Sequence, residues 1–390
     1  MKRSTHRFLT THVGSLLKPP DVLAFIQAKF EGQPVDEQAF SETLRAAVDE
    51  VVRKQAEVGV DIPSDGEFGK SAWTNYVMER MTGFEMRTVP RPPVTFLGAE
   101  AEGRFADYYQ QMSVQNIGRP RLETSQRWVC TGPIAYTGKA IMQRDVDNFL
   151  HALQHVQVEE AFLPVVAPAS IAVDHANEFY PSEEAYLYAV AEALRTEYQT
   201  IVDAGLIVQV DDAILTNMYD AVVASGQDYR KWVQLRIEAL NHALEGIPED
   251  RVRYHLCWGS WPGPHTSDVP LAEIIDLLLQ IHAQAYAIEA ANPRHEHEWT
   301  VWRDTKLPDG KILMPGVVSH AISHVEHPEL IAQRITRYAN LVGRENVIAS
   351  TDCGFSQNFR VQRQHPSVVW AKLEAMAEGA RIASRQLATV

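Results

Sequence analysis

Short apolar runs alternate along this chain with longer segments in which apolar positions recur at helical spacing. The run 206–210 is almost continuously apolar, which is typical of a parallel strand buried on both faces. The segment 36–58 instead places Phe40 and Leu44 on one face among many charged residues, which predicts an amphipathic surface helix. The whole chain divides in this way into strands and helices.

The pattern predicts nine strands and seven helices. The strands cover residues 8–15, 58–64, 128–133, 162–167, 206–210, 252–256, 285–289, 312–318 and 346–350. The helices cover residues 36–58, 182–204, 229–244, 270–283, 328–341 and 365–387, and one more opens at Pro20. Regular alternation of strands and helices implies parallel βαβ units.

The fold that we expect is α/β, a (β/α)8 TIM-type barrel forming a single large domain over residues 1–390. Because a barrel needs eight strands, one of the nine is either an additional element or not a strand. A doubly wound open sheet is the alternative, but no GxGxxG motif follows the first strand. Residues 84–127 are irregular and contain Pro90, Pro92 and Pro93, so they predict an excursion from the barrel or a lid.

Composition limits the classes of partner. The 390 residues are 45% hydrophobic and 22% charged, which is typical of a globular protein. The net charge of −14 argues against a nucleic acid or an anionic membrane as partner. No apolar run approaches the roughly 20 residues of a membrane span, and no signal peptide is evident, so we expect a cytoplasmic protein. Nothing in the composition indicates the oligomeric state, and an oligomer is compatible with it.

Polar residues cluster where the predicted strands end. They are Ser15, Glu67, Asp211, His255, Cys257, Glu289 and Cys353. Barrel enzymes build their active sites at the carboxyl ends of their strands, so these side chains are the candidates for chemistry.

His255 and Cys257 are the clearest of these candidates. Residues two apart on a strand point to the same side, and a nitrogen–sulfur pair favours Zn²⁺. Taken alone, the pair is more typical of buried core residues than of metal ligands. Glu289 and Cys353 at later strand ends complete a set of four potential ligands. Zinc deprotonates a coordinated thiol, so this set favours activation of a substrate thiol, with Glu289 as the ligand that yields its place.

The motifs around these residues resemble those of cobalamin-independent methionine synthase. The matching segments are Thr11-His12-Val13-Gly14-Ser15, Asp65-Gly66-Glu67-Phe68, Gln209-Val210-Asp211, His255-Leu256-Cys257, Ile288-Glu289, Met314-Pro315-Gly316-Val317 and Thr351-Asp352-Cys353-Gly354. The chain is similar to the single-barrel members of this family, which are related to epoxyalkane:coenzyme M transferase. The resemblance implies a barrel whose zinc ion, held by the four ligands, activates a thiol for alkylation.

The resemblance also implies substrate contacts. Ser15, Glu67 and Asp211 would hold the amino-acid part of a thiol such as homocysteine. From the residues alone, Ser15 and Asp211 are equally typical of turns and helix caps. For Glu67 the alternative is a solvated loop, which its neighbours Gly66 and Phe68 make the less favoured interpretation. Asp211 and His320 are the catalytic candidates. His320 follows the Pro-Gly-Val strand, after which the full-length family carries a proton-transferring histidine.

Other substrate-binding candidates lie in two loops. Tyr136 follows a Gly-Pro segment at which the full-length family carries a tryptophan that packs on folate, and that tryptophan is not evident here. Arg294 and His297 follow the Glu289 strand. They belong either to a polar loop that contacts the substrate or, through His295 and His297, to a second metal site.

The function that we expect is zinc-dependent methyl or alkyl transfer to a thiol, with homocysteine the simplest acceptor. Methyltetrahydrofolate, a corrinoid protein, an epoxide or a small methylated metabolite remain open as the donor. One alternative is a zinc-dependent lyase or hydrolase with His320 as the acid or base. The other is a non-catalytic relative with a structural zinc.

Overall fold

The structure is a computed structural model that describes residues 1–90, 103–114, 124–260, 263–360 and 363–388. The strands are β1 Leu9–Thr10, β2 Met81–Pro90, β3 Thr124–Tyr136, β4 Phe162–Val166, β5 Ala176–Asn177, β6 Ile207–Asp212, β7 Val252–Leu256, β8 Ala285–Ile288, β9 Ile312–Val318 and β10 Ile348–Thr351. The helices are α1 Pro20–Phe30, α2 Glu37–Glu57, α3 Ala106–Val114, α4 Lys139–Leu153, α5 Pro168–Asp174, α6 Glu183–Asp203, α7 Ile214–Asn217, α8 Tyr219–Ala224, α9 Tyr229–Ala243, α10 Ile275–Leu278, α11 Val301–Asp304, α12 Pro328–Val342 and α13 Pro366–Ala388.

Seven strands form one parallel sheet in the order β1-β10-β9-β8-β7-β6-β4. Residues 61–63 close this sheet into a ring. Ile62 makes a parallel bridge with Thr11 beside β1, and the Pro63 carbonyl accepts a hydrogen bond of 3.1 Å from the Phe162 amide of β4. The short segment thus takes the eighth strand position, and the predicted (β/α)8 barrel is confirmed. The open doubly wound sheet is excluded by this closure.

The predicted strand that does not belong to the barrel is 128–133, which lies within β3. β3 pairs antiparallel with β2 and parallel with β5 in a separate three-stranded sheet. The predicted excursion at 84–127 corresponds to the β2–β3 ribbon and α3, while Pro92, Pro93 and the rest of 91–102 and 115–123 lie outside the described residues. A lid function for this ribbon and the single domain over 1–390 stay predictions.

The predicted helix at 270–283 is wrong. The structure has a short turn at Leu271–Glu273 and then α10, because Ile274 between them leaves the helical conformation with φ −129°. The other predicted helices are present within a few residues. Ser182, for example, caps α6 by accepting a hydrogen bond from the Ala185 amide at 3.1 Å. In the described part of the chain, no helix has both the length and the apolar character needed to pass through a bilayer.

The barrel interior changes character along its axis. Its lower layer is apolar and includes Phe162, Ile207 and Ile348. Above it, the buried Arg253 donates hydrogen bonds of 2.9 Å to the Thr11 hydroxyl and to a backbone carbonyl of the loop after β1. Residues of β7 alternate in direction, so His255 lies on the same side as Arg253, one step nearer the carboxyl end. The polar end of the barrel is therefore the end that holds the candidate site.

Candidate metal and substrate site

A cavity of about 470 Å³ opens at the carboxyl ends of the barrel strands. Six of the predicted site residues line it, namely Ser15, Glu67, Asp211, His255, Cys257 and Cys353. Five others, Tyr136, Glu289, Arg294, His297 and His320, are not among its lining residues. Sequence and structure therefore agree on the floor of the site and differ on its surroundings.

Three predicted metal ligands converge at the floor of this cavity. One ligand atom from each of His255, Cys257 and Cys353 lies within 4.8 Å of the others, and the two sulfurs are 3.3 Å apart. Within the described ranges, this is the one group of three or more such ligands that the structure brings together. Both ring nitrogens of His255 are buried without a hydrogen-bond partner. Buried polar atoms normally have partners, so this imidazole fits the role of a ligand to zinc, which favours nitrogen and sulfur donors.

The two thiols differ in their ease of ionisation. The Cys257 thiol donates to the Cys353 sulfur, and together with the nearby His255 it holds the pKa of Cys353 well below its usual range against the effect of burial. The same contact and burial raise the pKa of Cys257. A cation bound between the sulfurs would therefore find one of them already favoured as a thiolate.

Glu289, the fourth predicted ligand, does not join this group. Its buried carboxylate accepts hydrogen bonds from the Trp258 amide at 2.8 Å, from the Asn292 side chain at 2.7 Å and from the Arg294 guanidinium at 2.9 Å. Arg294 was predicted to contact substrate, but in this structure it forms an ion pair with Glu289. The role of Glu289 as a ligand stays a prediction.

Asp352 holds the loop that carries Glu289, a role that the sequence motifs did not predict. One oxygen of its carboxylate accepts hydrogen bonds of 2.8 Å from the Ala290 and Ala291 amides, and the other accepts one of 2.9 Å from Asn292. Gly316 of β9 packs against Asp352 so closely that a Cβ there would lie 2.7 Å from the Asp352 Cα. The available signals were the glycine within a strand and the acid beside Cys353.

Two carboxylates form another wall of the cavity. Burial raises the pKa of Asp211 to about 8, and the nearby charge of Glu67 contributes to this shift. Glu67 itself has a left-handed backbone, with φ 60°, which is uncommon outside glycine and occurs often at functional sites. Ser15 lies beside the Cys353 loop, where its hydroxyl accepts a hydrogen bond from the Ser356 amide at 3.2 Å. The arrangement suits an ammonium group near the acids and a polar group near Ser15.

His320 is buried beside the site. Both of its ring nitrogens lack a hydrogen-bond partner, and its charge would act on Asp352 and Cys353. It thus has free capacity for a proton close to the metal ligands, although it does not line the cavity.

Tyr136 and His297 lie away from the cavity lining. The Tyr136 hydroxyl donates a hydrogen bond of 2.7 Å to the buried Glu197, and His297 is exposed. His295 is buried between Asp268 at 3.1 Å and Glu298 at 2.8 Å. Burial acts to lower its pKa, but these two carboxylates raise it to about 9. Since both nitrogens of His295 are engaged and His297 faces solvent, the structure does not form the second metal site considered for this pair.

Two cavity residues had no signal in the sequence analysis. Trp73 packs beside Cys257 and Cys353, and Arg363 donates a hydrogen bond to the Ser260 carbonyl at the cavity edge. Both residues lie in irregular segments, where periodicity carries no information about direction.

Comparison with known proteins gives this site a family. A family model described as the catalytic domain of cobalamin-independent synthase matches residues 8–161 and 170–381. The chain belongs to this family. It is 25% identical over 385 residues to the methionine synthase of Thermococcus kodakarensis, with 97% of this chain and 94% of that protein covered. It is 26% identical over 382 residues to the methionine synthase of Pyrococcus furiosus, with 97% and 93% covered.

Solved structures share the fold. A B12-independent methionine synthase from Shewanella sp. W3-18-1 aligns with a TM-score of 0.73 at 18% identity, covering 98% of this chain and 100% of that one. A putative vitamin-B12 independent methionine synthase from Listeria monocytogenes aligns with a TM-score of 0.66 at 19% identity, covering 96% and 98%. The family predicted from the motifs is confirmed, and with it the expectation of a methyltransferase-type enzyme.

Proposed function

We propose that this chain transfers a methyl or other alkyl group to a thiol, with homocysteine as the simplest acceptor and zinc as the cofactor. The observation that carries the proposal is the convergence of His255, Cys257 and Cys353 within 4.8 Å at the floor of a cavity. The curated relatives named methionine synthase, matched over nearly their whole length, support homocysteine as the acceptor.

The residues divide the work by charge. A zinc ion held by His255, Cys257 and Cys353 would lower the pKa of a bound thiol and so supply a nucleophile near neutral pH. Glu67 and Asp211 would bind the ammonium group of the amino acid, and Ser15 its carboxylate. His320, with both ring nitrogens free of hydrogen bonds, would accept or return a proton beside the metal ligands.

The alkyl donor is less defined. The family description as cobalamin-independent gives no support to a corrinoid protein as the donor. Trp73 lines the same cavity and offers an apolar face to a donor above the sulfurs. Methyltetrahydrofolate and small alkylated metabolites both fit this arrangement.

The first test is metal content. Cys257→Ala and Cys353→Ala should each lose most bound zinc, measured by plasma mass spectrometry after dialysis. Cys130→Ala is the matched control, because Cys130 is a buried cysteine of β3 outside the donor group. The Cys130→Ala protein should keep its bound zinc. Full zinc content in the Cys257 and Cys353 variants would reject the site.

The second test separates thiol activation from lyase or hydrolase chemistry. Zinc-edge X-ray absorption should show one additional zinc–sulfur bond when homocysteine is added, and none when homoserine is added in its place. An unchanged sulfur count with homocysteine would contradict thiol activation and favour a zinc that acts on water or on a substrate oxygen.

A further inference from the structure

The Glu289 carboxylate occupies a site of its own beside the metal donors. Its side chain is fully buried, and its two oxygens accept three hydrogen bonds, one of them from Arg294. A buried carboxylate without a cationic or hydrogen-bonding partner is strongly disfavoured. The structure thus contains a prepared position in which Glu289 is stable away from the three donor atoms.

Arg294 is held in place by groups other than Glu289. Its guanidinium donates to the Gly259 carbonyl at 3.3 Å and to the Asp268 carboxylate at 3.5 Å, and its backbone amide donates to the Asn292 side chain at 3.1 Å. Asp268 is available as an anion because, against the effect of burial, its histidine neighbours lower its pKa. The Arg294 guanidinium would therefore keep its position when the Glu289 carboxylate moves away from it.

The position of the Glu289 carboxylate beside Arg294 also lies next to the three candidate metal donors. The Trp258 amide donates to Glu289 at 2.8 Å, and the following amide, that of Gly259, lies 3.3 Å from the Cys257 sulfur. Two consecutive backbone amides thus donate hydrogen bonds, one to the Glu289 carboxylate and one to the sulfur of a candidate metal ligand. A change in the position of Glu289 would occur within the immediate surroundings of the metal.

We propose that Arg294 is a positioning residue that receives the Glu289 carboxylate when the substrate thiol takes its place at the metal. The proposal rests on the function proposed above and on the predicted role of Glu289 as fourth ligand, and it deepens that function because it assigns to Arg294 the control of thiol affinity. Glu289 then has two stable positions, one at the donor group and one at Arg294, and the thiol binds by shifting it to the second. Arg294 contacts neither substrate in this scheme and acts through Glu289.

The scheme predicts opposite effects on metal and thiol. Without Arg294, the displaced carboxylate would be buried without its cation, so displacement by the thiol becomes harder while Glu289 at the metal is unaffected. Arg294→Met in the zinc-loaded protein should therefore weaken homocysteine binding about 10- to 100-fold by calorimetry, the range expected when a buried carboxylate loses one charged hydrogen-bond donor and keeps two others. Its zinc affinity, measured by competition with a chromophoric chelator, should stay the same or become tighter.

Three further variants make the test specific. Arg294→Lys should recover part of the homocysteine affinity, because an ammonium can still pair with the carboxylate. Arg303→Met is the control, since Arg303 is an exposed cation of the same segment that stacks on Trp299, and both affinities should stay unchanged. In a Glu289→Gln background, Arg294→Met should have little further effect on homocysteine affinity, because the charge it receives is gone.

The outcomes that overturn the proposal are distinct from failure of the proposed function. A parallel loss of zinc and homocysteine affinity in Arg294→Met would mean that Arg294 only maintains the fold of the site. Unchanged homocysteine affinity would mean that Glu289 does not exchange. If the wild-type protein bound no zinc or formed no bond to the substrate sulfur, the proposed function itself would fail before any Arg294 variant was measured.

Discussion

Asp211 is the residue whose ionisation should govern binding of the amino acid. Burial and the neighbouring Glu67 raise its pKa to about 8, so it carries a proton at neutral pH. An ammonium group binds best to the ionised carboxylate, so binding must release that proton below pH 8. We expect ligand affinity to rise by up to tenfold per pH unit as the pH approaches 8, and to level off above it.

Methionine is the ligand for this measurement, since it keeps the ammonium group and lacks the titrating thiol. Its dissociation constant should be determined by calorimetry between pH 6.5 and 8.5. Asp211→Asn should bind methionine more weakly and with a flat pH profile. A wild-type affinity independent of pH would show that Asp211 does not contact the ammonium group.

Tyr136 illustrates a residue that changes its assignment once its contacts are known. It was predicted to bind substrate, but its hydroxyl donates to Glu197 at 2.7 Å, outside the cavity lining. Tyr136→Phe should therefore leave homocysteine affinity within about twofold of wild type. It should lower the free energy of unfolding by about 1.5–3 kcal/mol, the usual contribution of one hydrogen bond to a charged group. A large loss of homocysteine affinity with normal stability would restore Tyr136 to the binding site.

At the scale of elements, the contact between β9 and the segment after β10 supports the candidate metal site. Gly316 of β9 faces Asp352, which holds the loop after β8 through two backbone amides. Gly316→Ala would push a methyl group into the Asp352 backbone and should cost about 1–3 kcal/mol of stability. Urea denaturation measures this loss.

Gly132→Ala is the matched control for this substitution. Gly132 lies in β3, and its nearest neighbour would be 3.8 Å from an added Cβ. The free energy of unfolding of the Gly132→Ala protein should differ from that of the wild type by less than about 1 kcal/mol. Equal effects of the two substitutions would show that the close approach of Gly316 and Asp352 is not a packing constraint.

The strand and helix predictions differ in quality for a physical reason. Most of strands β6 to β9 are short apolar runs, and the long helices have an apolar period that persists over several turns, so local sequence is sufficient. The segment 270–283 is apolar at helical spacing but includes a break at Ile274, which no local rule indicates. Of the predicted strand 58–64, the segment 61–63 lies in the barrel wall, where β1 and β4 are on either side of it.

For the whole molecule, a buried ion cluster joins the three-stranded sheet to the barrel helices. Arg80, directly before β2, pairs with Asp145 of α4 at 2.7 Å and Glu197 of α6 at 3.3 Å, and all three side chains are buried. Arg80→Met would leave the buried Glu197 carboxylate without its cation and Asp145 with Arg144 as its remaining cation, which should cost about 3–5 kcal/mol of stability. Arg53→Met, which removes only exposed pairs, should leave stability nearly unchanged. Urea denaturation of zinc-free protein compares them, and a similar loss in both variants would contradict the role of the cluster.

The sequence by itself determined the parallel α/β alternation, the family and the candidate donors His255, Cys257 and Cys353. These follow from short apolar runs, from the 3.6-residue period of the helices and from short motifs, which are local properties of the chain. The tertiary structure decided the partners of long polar side chains. Glu289 and Arg294 pair across a loop, Tyr136 turns to a helix, and Asp352 reaches back to the strand end at β8. Such contacts depend on which backbone groups meet after the barrel closes, and neither spacing nor residue type specifies that meeting.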